Sequence, residues 1–353
     1  MSFHRSLIAK SIAALGLVCG GAAVSRAAGE KPAPTPTGEK PGLIPRNVLF
    51  GNPDKAAPEL SPDGKYLAYL APVEGVLNVW VGPADDPAKA KPVTADKKRG
   101  IRNYFWAYTG EHILYIQDAD GDENWHVYSV HVPTGETKDL TPLKGVRADV
   151  EAVSHKFPTE LLVGLNDRDP RHHDIYRVNL ATGERELVQK NPEFAGFVTD
   201  DDFRVRFASK ITPDGGNAIL KPDGKGGWED FLKIPMEDTL TTRPLLFDKT
   251  GKTLYLMDSR GRDTGALVAL DTETGGQKVL ASDPKADVGS VFVHPRDNTI
   301  QGVAFVYDRM KYEFFDKAVE EDFARLRKVA AGDITIASRT LDDGKWVVAF
   351  LMD

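Results

Sequence analysis

Four carboxylates fall within six positions of the string "DADGDENWHVY" (118–128): Asp118, Asp120, Asp122 and Glu123. An EF-hand calcium loop takes oxygen ligands at its positions 1, 3, 5 and 12 and needs glycine at 6. Asp118, Asp120 and Asp122 meet the first three requirements. Glu123 stands where glycine is needed, and Ser129, at position 12, cannot chelate through two oxygens. The string therefore reads first as the tip of a β-hairpin, with calcium binding and a substrate-facing role as competing readings. His172-His173 invites a metal, but neighbours on a strand point to opposite faces and no third ligand follows at a suitable spacing. The other histidines beyond the N-terminal segment (112, 126, 131, 155 and 294) are scattered. Neither a metal nor a cofactor is expected.

The elements that would hold these residues repeat. "DADGDENWHVYSVHVPTGETKDL" (118–140), "NDRDPRHHDIYRVNLATGERELV" (166–188) and "DSRGRDTGALVALDTETGGQKVL" (258–280) align on turn glycines Gly135, Gly183 and Gly275, so the period is about 46 residues. A further unit is expected near Gly224–Gly227. A second ruler, "SPDGK", "YTGEH", "KTGKT" and "LDDGK", places Gly64, Gly110, Gly251 and Gly344 at multiples of the same period, each before a strand-like run. Glycine suits these turns because they need a residue with positive φ. Within each unit the apolar residues alternate with period two: Tyr128, Val130, Val132; Tyr176, Val178, Leu180; Val268, Leu270. Four short strands per unit is the pattern of a β-propeller blade. The expected fold is all-β, a propeller of about seven four-stranded blades spanning 46–353. "NYFWAY" (103–108) is expected to be an inner strand, with Trp106 as a packing wedge between blades. One helix is expected near 315–330, capped by Asp316, from apolar residues at 315, 319, 323, 326 and 330. After it two more strands begin a last blade, which is expected to be incomplete.

Residues 1–27 have a basic start, an apolar stretch and small residues around Ser25-Arg26-Ala27, the pattern of a secretory signal. Cys19 follows Val18, which disfavours lipidation at that site. Residues 28–45 read as a proline-rich linker. The expected location is therefore the periplasm or the outside of the cell, with no membrane span. The chain has a formal charge of −7; removing Arg5, Lys10 and Arg26 with the signal leaves −7 − 3 = −10. An acidic surface argues against a nucleic-acid partner. Beyond Cys19 there is no cysteine, so the core carries the stability without disulfides.

"LFGNPDKAAPELSPDGKYLAYLAPVEGVLNVWV", "DADGDENWHVYSV", "LNDRDPRHHDIYRVNLATGE" and "ITIASRTLDDGKWVV" resemble the N-terminal propeller of exported prolyl-oligopeptidase-family serine peptidases, in the acylaminoacyl-peptidase and dipeptidyl-aminopeptidase branch. The resemblance covers 46–353. It implies hydrolysis of short peptides by an α/β-hydrolase domain whose access the propeller limits. No G-x-S-x-G occurs here, so no catalytic residue is carried over and this chain by itself is expected to be inactive. The implied partners are that hydrolase domain and short peptides. Relatives hold a substrate's amino terminus with acidic propeller side chains, which makes Glu320 and Glu321 candidates. Both also suit a helix start, and Glu321 can pair with Arg325. Arg168 and Arg171 are candidates for a peptide's acyl or carboxyl end, with a solvated hairpin tip as the competing reading. Two other functions stay open: a free-standing TolB-like protein-binding propeller, and a metal-assisted propeller hydrolase.

Overall fold

A computed structural model describes residues 43–352, so the signal segment and all of the linker before Leu43 lie outside the described residues. Strands pair antiparallel with their sequence neighbours, and those inside a sheet, such as Glu160–Asp169 and Ile300–Val306, are buried on consecutive positions because other sheets cover both faces. Sheet one comprises Ala56–Leu60, Tyr66–Val73, Val76–Pro83 and Lys91–Pro92, and sheet two Tyr104–Trp106, His112–Gln117, His126–His131 and Glu136–Asp139. Sheet three holds Ala148–Val153, Glu160–Asp169, His172–Asn179 and Arg185–Gln189; sheet four holds Gly196–Thr199, Val205–Ile211, Asn217–Pro222 and Trp228–Ile234. Sheet five is Arg243–Phe247, Thr253–Asp258, Ala266–Asp271 and Gln277–Ala281. Sheet six has three strands, Val288–Val293, Ile300–Val306 and Met310–Phe314, and a seventh sheet has two, Asp333–Arg339 and Trp346–Leu351. The chain is an all-β propeller with six blades of three or four strands, followed by the two-stranded sheet.

The core lies between sheets. Sheets two and three share Phe105, Leu114, Val127, Leu161, Val163 and Val178; sheets four and five share Phe207, Ile219, Phe247, Leu256 and Val268. Trp106 fills the seam between sheets one and two as a wedge, stacked on Tyr66 with its Nε1 donating to Glu59 O at 3.2 Å. The ring closes differently. Leu60 N donates to Ser338 Oγ at 2.9 Å, Leu341 N to Pro62 O at 2.8 Å, and Lys345 Nζ to Gly64 O at 3.1 Å, joining the last sheet to the first through polar contacts.

The helix is Lys317–Leu326, with Asp316 as N-cap accepting from Ala318 N at 2.9 Å. It stands where sheet six would otherwise have a fourth strand. Val319 and Phe323 are buried between sheets six and seven, and Phe323 packs on Phe292, Tyr312 and Phe314. Gly302 lies between Phe292 and Phe314 in the strand register and leaves room for those rings to stack. The flanking apolar positions fall outside the helix: Phe315 precedes it and Ala330 follows it.

Turns follow a rule with an exception. Gly64, Gly110, Gly251, Gly135, Gly183, Gly275 and Gly224 all take positive φ. In "LDDGK", however, the left-handed residue is Asp343 (φ 59), and Gly344 is not left-handed. Phe203 and Asn298 do the same duty in sheets four and six.

Candidate functional site

An antiparallel blade has two kinds of connection, and they lie at opposite ends. Turns joining first to second and third to fourth strands form one side of the ring, here called the turn face. Hairpin tips joining second to third strands, with the linkers from one sheet to the next, form the loop face.

"DADGDENW" is a hairpin tip on the loop face. The Asp118 side chain is buried, with Oδ1 3.1 Å from Arg99 Nε and Oδ2 accepting from Glu123 N at 3.3 Å. Asp120 pairs with Lys98 at 2.9 Å. Asp122 accepts from Ala119 N, Asn124 N and Asn124 Nδ2, and the Asn124 side chain leads the bonds that hold its carboxyl below the usual range. Apart from Asp118 Oδ1, which is buried beside Arg99 without a hydrogen bond, the oxygens of these three aspartates are engaged by protein donors, in keeping with loop architecture.

Arg168 and Arg171 share the tip of sheet three. Arg168 donates through Nε and Nη2 to Asp174 at 2.7 and 2.8 Å, and its Nη2 also reaches Asn191 O at 2.6 Å, tying the hairpin to the linker between sheets three and four. The Asp174 side chain is only 1% exposed. Burial opposes its ionisation, but Arg168, the Asn191 N–H and the positive charge outweigh burial and hold the carboxyl below its ordinary range. Arg171 is exposed and folds back on Asp169, depressing that carboxyl through a side-chain hydrogen bond. Glu320 and Glu321 are both exposed on the helix, and Glu321 lies 4.0 Å from Arg325. The structure puts the arginines at one hairpin tip of sheet three and the glutamates side by side on the helix after sheet six, so the two pairs stand on separate elements. His173 faces Asp149 at 3.4 Å, and burial lowers the imidazole's proton affinity.

Other linkages were not visible in the spacing. On the loop face Asp258 receives Arg260 at 2.8 and 2.7 Å, and Ser259 Oγ donates to Asp238 of the preceding linker at 2.7 Å. Tyr307 and Lys311 of sheet six both meet Asp283 of the linker before it. On the turn face Asn298 Nδ2 of sheet six donates to Asp201 Oδ2 of sheet four at 2.6 Å, passing sheet five and so reaching across the ring. Ser154 of sheet three also bonds Asp201 O at 2.7 Å, so three inner turns meet there.

Exposed large apolar side chains divide sharply between the faces. Leu43, Ile44, Val48, Leu49 and Phe50 lie where the chain enters the loop face. Ile211 and Val306 end second strands, Tyr307 sits at a tip, Met236, Leu240 and Val329 lie in linkers, and Met352 follows the last strand; all are on that face. Leu240 is 93% exposed. On the turn face only Phe315 joins them among the described residues; Leu187, Val188 and Val279 are on outermost strands.

No family model matches the sequence. "Dipeptidyl aminopeptidase BIII" of Pseudoxanthomonas mexicana is 46% identical over 309 residues, covering 87% of this chain and 45% of that protein. The chain belongs to the β-propellers of the prolyl-oligopeptidase family of peptidases. A second relative, "Dipeptidyl peptidase family member 6" of Caenorhabditis elegans, is 31% identical over 325 residues, covering 87% of this chain and 44% of that protein. This family propeller therefore spans about half the length of the curated relatives it matches. A solved prolyl endopeptidase shares the fold with a TM-score of 0.55 at 11% identity, over 74% of this chain and 41% of that one.

Proposed function

We propose that this propeller controls substrate access in an exported serine peptidase that cleaves short peptides from the amino terminus, with its loop face docked on the catalytic domain. The observation that supports the reading is the gathering of exposed apolar side chains on that one face. Apolar surface concentrated on one side of a molecule marks an interface. The matched relatives are about twice as long as the stretch they share with this chain, so they contain enough chain for a second domain.

In this reading the two-stranded sheet is the inner half of a seventh blade. The Asn298–Asp201 bridge narrows the ring on the turn face, so folded proteins are excluded by size and short peptides are admitted. Arg168 and Arg171 stand on the docked face, where the exposed edges of their guanidinium groups suit a peptide carbonyl or carboxylate. Glu320 and Glu321, on the helix after sheet six and apart from those tips, are the candidate anionic pair for a free α-amino group. The signal pattern in residues 1–27 supports delivery to the periplasm or the outside.

The test is reconstitution. The propeller and the remaining half of the Pseudoxanthomonas relative are produced separately, mixed, and examined by size-exclusion chromatography and by cleavage of a chromogenic dipeptidyl substrate. Co-elution with activity is expected, together with its loss in the Met236→Glu, Leu240→Glu double variant. The propeller alone is expected to hydrolyse no aminoacyl ester. Failure of the wild-type halves to associate would remove the docking reading, and hydrolysis by the propeller alone would overturn the access role.

A further inference from the structure

His112 opens the second strand of sheet two, His131 closes the third, and the two are direct cross-strand partners. Their rings lie 4.8 Å apart between centroids, tilted by 36°. Each is held by a threonine from its own turn. Thr109 Oγ1 shares a hydrogen bond with His112 Nδ1 at 3.0 Å, and Thr134 Oγ1 with His131 Nδ1 at 2.8 Å. Each threonine oxygen also accepts a backbone N–H, from Glu111 and from Glu136 respectively, both at 3.3 Å. Each hydroxyl can accept from Nδ1–H as well as from the backbone N–H, and in that tautomer the lone pair of each imidazole is on Nε2. A hydrogen bond on the far nitrogen that fixes tautomer and ring orientation is the usual support for a metal-ligating histidine.

The fold itself does not ask for this pair. The matching cross-strand positions are Tyr66 and Pro83 in sheet one, Glu160 and Asn179 in sheet three, and Thr253 and Asp271 in sheet five. Packing two imidazoles is also unfavourable when both are charged. His112 is half-buried, and desolvation, followed by the neighbouring His131, lowers its proton affinity. Two neutral imidazoles with Nε2 unprotonated are the ligand set that borderline divalent cations prefer. The Glu111 carboxylate lies 3.8 Å from His131 Nε2 and adds negative potential.

We propose that His112 and His131 form a two-imidazole chelate for a borderline divalent cation of the Zn2+, Ni2+ or Cu2+ class, bridging the second and third strands of sheet two at the turn face. No cluster of three or more His, Cys, Asp or Glu suited to a metal occurs among the described residues, so water fills the remaining positions. Bound only by the folded chain, the cation stabilises it by mass action. Binding competes with protons for the same ring nitrogens, so acid weakens it.

The test is isothermal titration of the metal-free chain with ZnCl2 at pH 7.5, paired with thermal unfolding with and without the ion. One site per chain and a raised unfolding temperature are expected, with both lost in His112→Ala and in His131→Gln. His126→Ala should keep them, because His126 pairs instead with Asp139 at 2.7 Å. If His112→Ala fails to fold, His131→Gln and Thr134→Ala supply the readout, the latter predicted to weaken binding without abolishing it. A wild-type chain that binds no Zn2+ would overturn the proposal. So would binding that survives loss of either histidine, which would mark an adventitious ion.

Discussion

On the turn face the chain reverses through backbone geometry: Gly64 and Gly110 sit at φ 68 and 72, and inner turns touch one another directly. On the loop face the same strands are joined by tips and linkers held by charged side chains, as in Arg99–Asp118, Arg168–Asp174 and Arg260–Asp258. The turn face is nearly free of exposed large apolar groups and the loop face carries most of them. The contrast separates two tasks. The turns close the blades and lock against one another, with ion pairs of their own at Arg206–Asp200 and Arg339–Asp343, whereas the loops hold a fixed surface whose apolar groups remain for something else to cover.

The loop-face clamps can be broken most severely at Asp174. Asp174→Ala leaves Arg168 without its carboxylate and strands the buried Asn191 N–H, which should cost about 2–3 kcal/mol after discounting for the part-exposed arginine. Chemical denaturation measures it; a loss under about 0.5 kcal/mol would mean the clamp is ornamental, by the usual scale of surface substitutions. On the turn face, Gly64→Val meets both a positive φ and a Cβ position 2.8 Å from Thr340 Cγ2, for an expected cost of about 1–3 kcal/mol. Adding Thr340→Ser should return the steric share and leave the conformational share.

Acid should separate the faces more gently. Asp174 and Asp258 are buried carboxyls held below their ordinary range by arginine, in spite of burial. A depressed carboxyl stabilises the fold fully above its unfolded pKa, about 3.9, and that stability drains away as pH falls through the lower folded value. On the turn face Asp63 is also depressed, against desolvation, by Lys65, but it is part-exposed and solvent screens its share. Hydrogen exchange below pH 4 should therefore rise first at 166–174 and 258–262, ahead of 61–65. The smallest effect is expected for Met236→Glu with Leu240→Glu, whose stability should stay within about 0.5 kcal/mol of the parent because both side chains already face solvent. A large loss there would show that the apolar loop-face groups support the ring itself.

Much of the ring was legible in one dimension. The 46-residue spacing, the two-residue alternation and the turn at Gly224–Gly227 all correspond to strands and turns where expected. The helix was legible from Val319 and Phe323 at four-residue spacing and from the Asp316 cap. Legibility failed where a non-glycine residue takes positive φ: at Phe203 the surroundings impose a conformation that a bulky residue does not announce, and at Asp343 the neighbouring Gly344 drew the expectation although aspartate also tolerates that region. It failed again for the histidines. His112 and His131 look scattered along the chain, yet strand register makes them neighbours. The candidate residues Arg168 and Arg171 were found as a pair, but their engagement by Asp174 and Asp169 depended on how the hairpin folds back.

Alternation, turn type and helix capping depend on residues a few positions apart, so the amino-acid order alone settled the all-β plan and the succession of blades. The closing contact between Leu60 and Ser338, the bridge from Asn298 to Asp201 and the collection of apolar groups on one face join residues far apart in the chain. No local preference encodes them. They exist because successive twisted sheets, packed face against face, bring the ends of the ring together and turn every tip and linker to the same side.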